Sequence, residues 1–97
     1  MALEIAWSTR AENGYDKIMR YLAEEWTDKE ISNFINETRL FLSLLEKNPK
    51  LLQPSRFRKN VCRGPMNPLT IVTYRVKPRK QQIELLNIRS SKQQPLR

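Results

Sequence analysis

The sequence predicts an α+β fold: an N-terminal strand, an antiparallel helical hairpin and then a three-stranded antiparallel segment, with the hairpin packed on one face of the sheet. Three observations predict it. Apolar residues recur at helical spacing from about residue 9 to about residue 48. β-branched and aromatic residues, punctuated by Pro and Gly, dominate the remainder of the chain. Charge divides at the same place: residues 1–49 carry six Lys/Arg against nine Asp/Glu, and residues 50–97 carry twelve against one.

The first strand is read over residues 3–7, where Leu3, Ile5 and Trp7 alternate with Glu4 and Ala6. Ala11, Tyr15, Ile18, Leu22 and Trp26 then mark the inner stripe of a first helix, with Thr9 and Glu12 spaced as a capping box. Gly14 inside that helix costs about 1 kcal/mol relative to Ala. Either a second backbone passes close to it or it is a tolerated defect. Thr27 and Glu30 repeat the capping pattern, so a second helix starts at once and buries Ile31, Phe34, Ile35, Thr38, Phe41, Leu42 and Leu45. It ends near Asn48 because Pro49 disfavours helical angles in the residue before it. A joint this short folds the two helices back on each other. Leu40 and Leu44 fall off the stripe, and either cover the rim of the core or form an apolar groove for a partner helix.

After a connector broken by Pro54, strands are read over residues 57–63, 69–76 and 81–89, with Lys77-Pro78-Arg79-Lys80 as the turn between the last two. Gly64-Pro65-Met66-Asn67-Pro68 leaves the end of the first of these strands open. Arg75 is placed to pair with Glu84 across the hairpin. Residues 91–97 read as a polar, loose tail.

Ninety-seven residues form one domain with one core. The single cysteine, Cys62, has no disulfide partner in the chain, and no leader or spanning stretch is evident, so a cytoplasmic protein without membrane contact is expected. The absence of His argues against a metal site, an imidazole-based triad or a cofactor built on either. A half-chain with only Glu84 to offset its cations sits in its own positive potential, which an anionic partner would relieve. The strand cluster Arg58, Lys59 and Arg63 is the candidate contact for a target or silencing partner. Alternatively, the basic half is a plain nucleic-acid-binding module.

Several segments together resemble the RelE/ParE superfamily of bacterial toxins. Ile5-Ala6-Trp7-Ser8-Thr9-Arg10-Ala11-Glu12 is similar to its opening strand and helix start, and Tyr21-Leu22-Ala23-Glu24-Glu25-Trp26 to the end of its first helix. Thr73-Tyr74-Arg75-Val76 and Ile83-Glu84-Leu85-Leu86-Asn87-Ile88-Arg89 resemble its central and closing strands, and Lys92-Gln93-Gln94-Pro95 its tail. The resemblance implies a toxin of a type II toxin–antitoxin module, silenced by a cognate antitoxin through which it oligomerises. ParE-type members block DNA gyrase without cleaving a substrate. RelE-type members cut messenger RNA on the ribosome.

The resemblance leans to the ParE-like mode. For RNA cleavage, Arg58, Lys59, Arg63 and Arg89 occupy positions similar to the RelE-type cationic cluster, and would hold the scissile phosphate. That type also places an aromatic acid/base in the tail, whereas residues 90–97 contain neither Tyr nor His. The candidate contacts for target or antitoxin are therefore Arg58, Lys59, Arg63, Arg75, Arg89, Lys92, Leu40 and Leu44, with no catalytic residue assigned.

Overall fold

The structure, a computed structural model, describes residues 3–91. Strand β1 (Glu4–Trp7) leads into helices α1 (Thr9–Glu25) and α2 (Asp28–Lys47). The short β2 (Gln53–Pro54) and the longer β3 (Val61–Asn67), β4 (Thr70–Lys77) and β5 (Gln82–Ser90) complete the chain order. The sheet order is β1-β5-β4-β3-β2. β3 to β5 are antiparallel, as expected; β2, inside the stretch read as a connector, adds a short antiparallel edge on β3, and β1 runs parallel to β5 and makes the sheet mixed. A parallel edge needs a long crossover, and here the whole helical hairpin is part of that crossover.

The helices begin where hydroxyls can satisfy free amides. At α2 the Thr27/Glu30 capping box is present, with the Glu30 amide donating to Thr27 Oγ1 at 3.2 Å and the Thr27 amide to Glu30 Oε1 at 3.0 Å. At α1 the cap is Ser8 and not Thr9. Ser8 Oγ accepts from the Ala11 amide at 3.0 Å and donates to the Leu86 carbonyl at 3.1 Å, so the same hydroxyl starts the helix and ties it to β5. That second bond, made across the fold, decides between two adjacent hydroxyls.

One face of the sheet meets the helices. Val72 and Tyr74 of β4 and Ile83, Leu85 and Ile88 of β5 are buried against Ala11, Ile18 and Leu22 of α1 and Phe34, Phe41 and Leu45 of α2. Gly14 sits where α1 presses on β5: a Cβ there would fall on the Ile88 carbonyl oxygen, so the second backbone is real. Trp7 packs edge-on against Tyr15 at 5.5 Å and Tyr15 stacks on Phe34 at 5.7 Å. The Tyr15 hydroxyl donates to Thr38 Oγ1 at 3.1 Å, joining the helices. Tyr74, fully buried, holds the connector over the core by donating to the Pro49 carbonyl at 2.8 Å and accepting from the Leu52 amide at 3.2 Å. Burial keeps its hydroxyl protonated well above the usual tyrosine range; the Leu52 bond opposes that shift and neighbouring Cys62 adds to it.

Two boundaries differ from expectation. The strand read over residues 57–63 starts only at Val61, because residues 55–60 turn on the Ser55 hydroxyl and on Asn60, whose φ of 63° is left-handed. It then runs through Gly64 and Pro65 to Asn67, with a register shift between Pro65 and Asn67 that absorbs the breakers. Lys77 hands β4 to a 3₁₀ turn over Pro78–Lys80, as the Pro placement requires.

Candidate functional site

The alternation of a strand sends every second residue to the face the helices do not cover. On β4 these are Ile71, Thr73, Arg75 and Lys77; their register partners on β5 are Arg89, Asn87, Glu84 and Gln82. On β3 they are Pro65, Arg63 and Val61, opposite Ile71, Thr73 and Arg75. Val61 is buried yet lies outside the core cluster, which agrees with its place on this second face.

Three guanidinium groups therefore surround Thr73. Arg63 lies directly across from it, Arg75 is two residues along its own strand, and Arg89 is on the diagonal beside Asn87. Adjacent strands are about 4.8 Å apart, so the three side chains reach a common polar patch. Among the described residues none of the three has an ion pair or a side-chain hydrogen bond, and no carboxylate from the helices is paired with them. The expected Arg75–Glu84 pair is in register but does not form. Glu84 Oε1 instead meets Lys77 Nζ at 3.0 Å, one step along the same face. Gln82 Nε2 donates to Glu4 Oε1 at 3.5 Å at that same end, so the acidic groups on this face gather away from Arg63 and Arg89.

The structure divides the sequence-level cluster. Arg63 and Arg89 share the open face and are joined by Arg75. Arg58 and Lys59 are not on a strand: they sit in the 55–60 loop, beside the Arg75 end of the sheet, where the Val61 amide donates to the Arg58 carbonyl at 3.4 Å and the Val76 amide to the Asn60 carbonyl at 2.8 Å. Lys92 lies outside the described residues. Leu40 and Leu44 stand one turn apart on the outside of α2, 63% and 49% exposed. Sequence reading missed the polar centre, Thr73 and Asn87, which could be found by counting two back from Arg75 and then crossing one register step. It also missed a groove of about 320 Å³ beneath Tyr21 and Trp26, closed by Lys17, Leu69 and Ser90.

Such a patch can bind phosphate or carboxylate groups through charge-assisted hydrogen bonds. Tyr74 points to the opposite face and is buried, and the facing carboxylate, Glu84, is held by Lys77. No group of three or more His, Cys, Asp or Glu side chains fit to hold a metal ion occurs among the described residues, and no described helix is long and apolar enough to cross a membrane.

This architecture is found in bacterial toxins of known structure. The chain is similar to one in the crystal structure of the toxin–antitoxin complex RelBE2 from Mycobacterium tuberculosis, with a TM-score of 0.65 and 11% identity over 96% of this chain and 95% of that one. A double Arg-to-Ala mutant of the E. coli toxin RelE in the free state gives 0.61 and 14% over 95% and 86%; a conserved hypothetical protein of Helicobacter pylori gives 0.54 and 18% over 92% and 94%. These likenesses define the fold class, two helices on a mixed five-stranded sheet of RelE/ParE type. Residues 5–95 match the model of the ParE toxin of the type II toxin–antitoxin system, parDE, and the chain belongs to that family. No curated protein matches the sequence. Family membership makes an antitoxin its class of partner.

Proposed function

We propose that this toxin acts by binding and not by cutting: it inhibits DNA gyrase through protein contact, using the open face around Arg63, Arg75 and Arg89, until its antitoxin covers that face. The observation that carries this reading is three guanidinium groups without an ion pair among the described residues, on a face where the one facing carboxylate, Glu84 opposite Arg75, is held by Lys77. Anion binding needs only the cations, whereas attack by a 2′-hydroxyl also needs a group to take its proton. An acidic antitoxin segment would neutralise the face, and its apolar residues would seat on Leu40 and Leu44.

The test is a pair of assays on the same preparation. Gyrase supercoiling should be inhibited in proportion to added toxin and restored by antitoxin, while cell-free translation continues and the messenger stays intact. Codon-positioned cuts in ribosome-bound messenger, with gyrase unaffected, would replace this reading by the ribonuclease one.

A further inference from the structure

The loop between β2 and β3 carries Arg56, Phe57, Arg58 and Lys59, all exposed, and Phe57 is 93% exposed. The loop is built, not slack. Ser55 Oγ accepts from the amides of Phe57 at 3.0 Å and Arg58 at 3.2 Å, and the Ser55 amide donates to the Val61 carbonyl at 2.7 Å. Asn60 turns the chain in the left-handed region and its carbonyl is held by the Val76 amide. A whole aromatic ring is thus held in water on an ordered turn, between cations that have no ion pair among the described residues. Leaving a Phe exposed forgoes the stabilisation that burial gives, and the ordering needed to present it has been done before any partner arrives.

We propose that this loop is a binding site for single-stranded nucleic acid, with Phe57 stacking on one base and Arg56, Arg58 and Lys59 holding the adjoining phosphates. Charge selects the occupant. No carboxylate lies in the sequence between Lys50 and Glu84, and the cations continue past the loop. Val61, the first residue after it, pairs with Arg75; Arg63 is two residues further along β3; and Arg89 faces Ile71, four residues or about 13 Å along β4 from Arg75. A protruding ring beside a run of unneutralised cations suits a polyanion with π-faces. A duplex suits it less, because its bases are already stacked. The site is separate from the gyrase reading, and single-strand binding is measured without gyrase or antitoxin.

The test is fluorescence anisotropy of the purified full chain with labelled 12-nucleotide single strands, oligo-dT and oligo-U, and a 12-base-pair duplex, across a salt series. Phe57→Ala should weaken single-strand binding by roughly 5- to 150-fold, the range of one base–aromatic stack, without changing the salt slope. The double variant R58A/K59A should reduce that slope by about 1.4, two phosphate contacts on a single strand. Phe57→Trp should retain affinity and its emission should fall on binding, beyond any change seen with Trp7 and Trp26 in the parent; Phe57→Leu, apolar but without a π-face, should behave like Ala. The proposal is overturned if Phe57→Ala binds single strands as the parent does, if Leu substitutes fully for Phe, or if the duplex binds equally well. Intact single-strand binding by Phe57→Ala together with lost gyrase inhibition would assign the loop to a protein partner instead.

Discussion

Replacing Gly14 with Ala sets two effects of opposite sign against each other. An Ala in a helix interior is favoured over Gly by about 1 kcal/mol, so an α1 unconstrained by its surroundings would gain stability. Here the new methyl would land on the Ile88 carbonyl oxygen and lie 3.0 Å from its carbon. Neither atom gives way cheaply, since Ile88 is paired with Val72 inside the sheet and α1 is tied to β5 by Ser8 Oγ. Overpacking a tight core contact costs about 1–3 kcal/mol, and a backbone obstacle puts this site at the upper end or beyond. The net expectation is destabilisation by about 2 kcal/mol. With a urea m-value near 1 kcal/mol/M for a chain of this size, the midpoint should fall by about 2 M. Asn13→Ala, one position earlier and exposed, isolates the propensity effect and should raise stability by about half a kcal/mol. A midpoint for Gly14→Ala at or above the parent's would refute the placement of α1 on β5.

Three other substitutions test separate parts of the account. Tyr74→Phe strips the Pro49 carbonyl and Leu52 amide of their partner and should cost about 1–3 kcal/mol in thermal or urea unfolding. Because burial raises the folded-state value of Tyr74 above about 10, its contribution is fully present below that pH; the unfolded chain then loses the proton first, so the parent's stability should fall more steeply than the variant's above pH 10. Equal slopes in the two proteins would contradict the buried hydroxyl. Thr70→Val removes a hydroxyl that is wholly buried with no described partner, and should leave unfolding unchanged or raise stability by up to about 1 kcal/mol; a loss beyond that would reveal a partner. Leu40→Glu with Leu44→Glu should weaken antitoxin binding at least 10-fold in calorimetry while leaving the melting temperature within about two degrees, and unaltered affinity would move the antitoxin contact elsewhere.

Local chemistry made most of the elements legible. The Thr27/Glu30 box, the stop at Pro49 and the turn at Lys77-Pro78 each arise from hydrogen bonding or proline geometry within a few residues, and each is where it should be. What the sequence hid was settled by contacts distant in the chain. Ser8 displaces Thr9 as the cap because Leu86 offers it a second bond. Val61, not Phe57, opens β3 because the Ser55 hydroxyl draws the preceding amides into a turn. β1 is parallel because the hairpin carries the chain past β5, a fact of topology with no residue pattern of its own. The site shows the same division. The charge asymmetry announced a cationic surface, but only strand register shows that Arg75 joins Arg63 and Arg89 around Thr73, that Lys77 takes Glu84, and that Arg58 and Lys59 belong to a loop.

The claim on which the functional reading depends is that the uncovered cationic face is the working surface of the toxin. Growth after induction of a triple R63A/R75A/R89A variant tests it most directly, alongside circular dichroism and urea unfolding of the purified variant to confirm that it is folded. Normal growth with the fold retained is the predicted result; growth arrest equal to the parent's, from a variant shown to be folded, would contradict it.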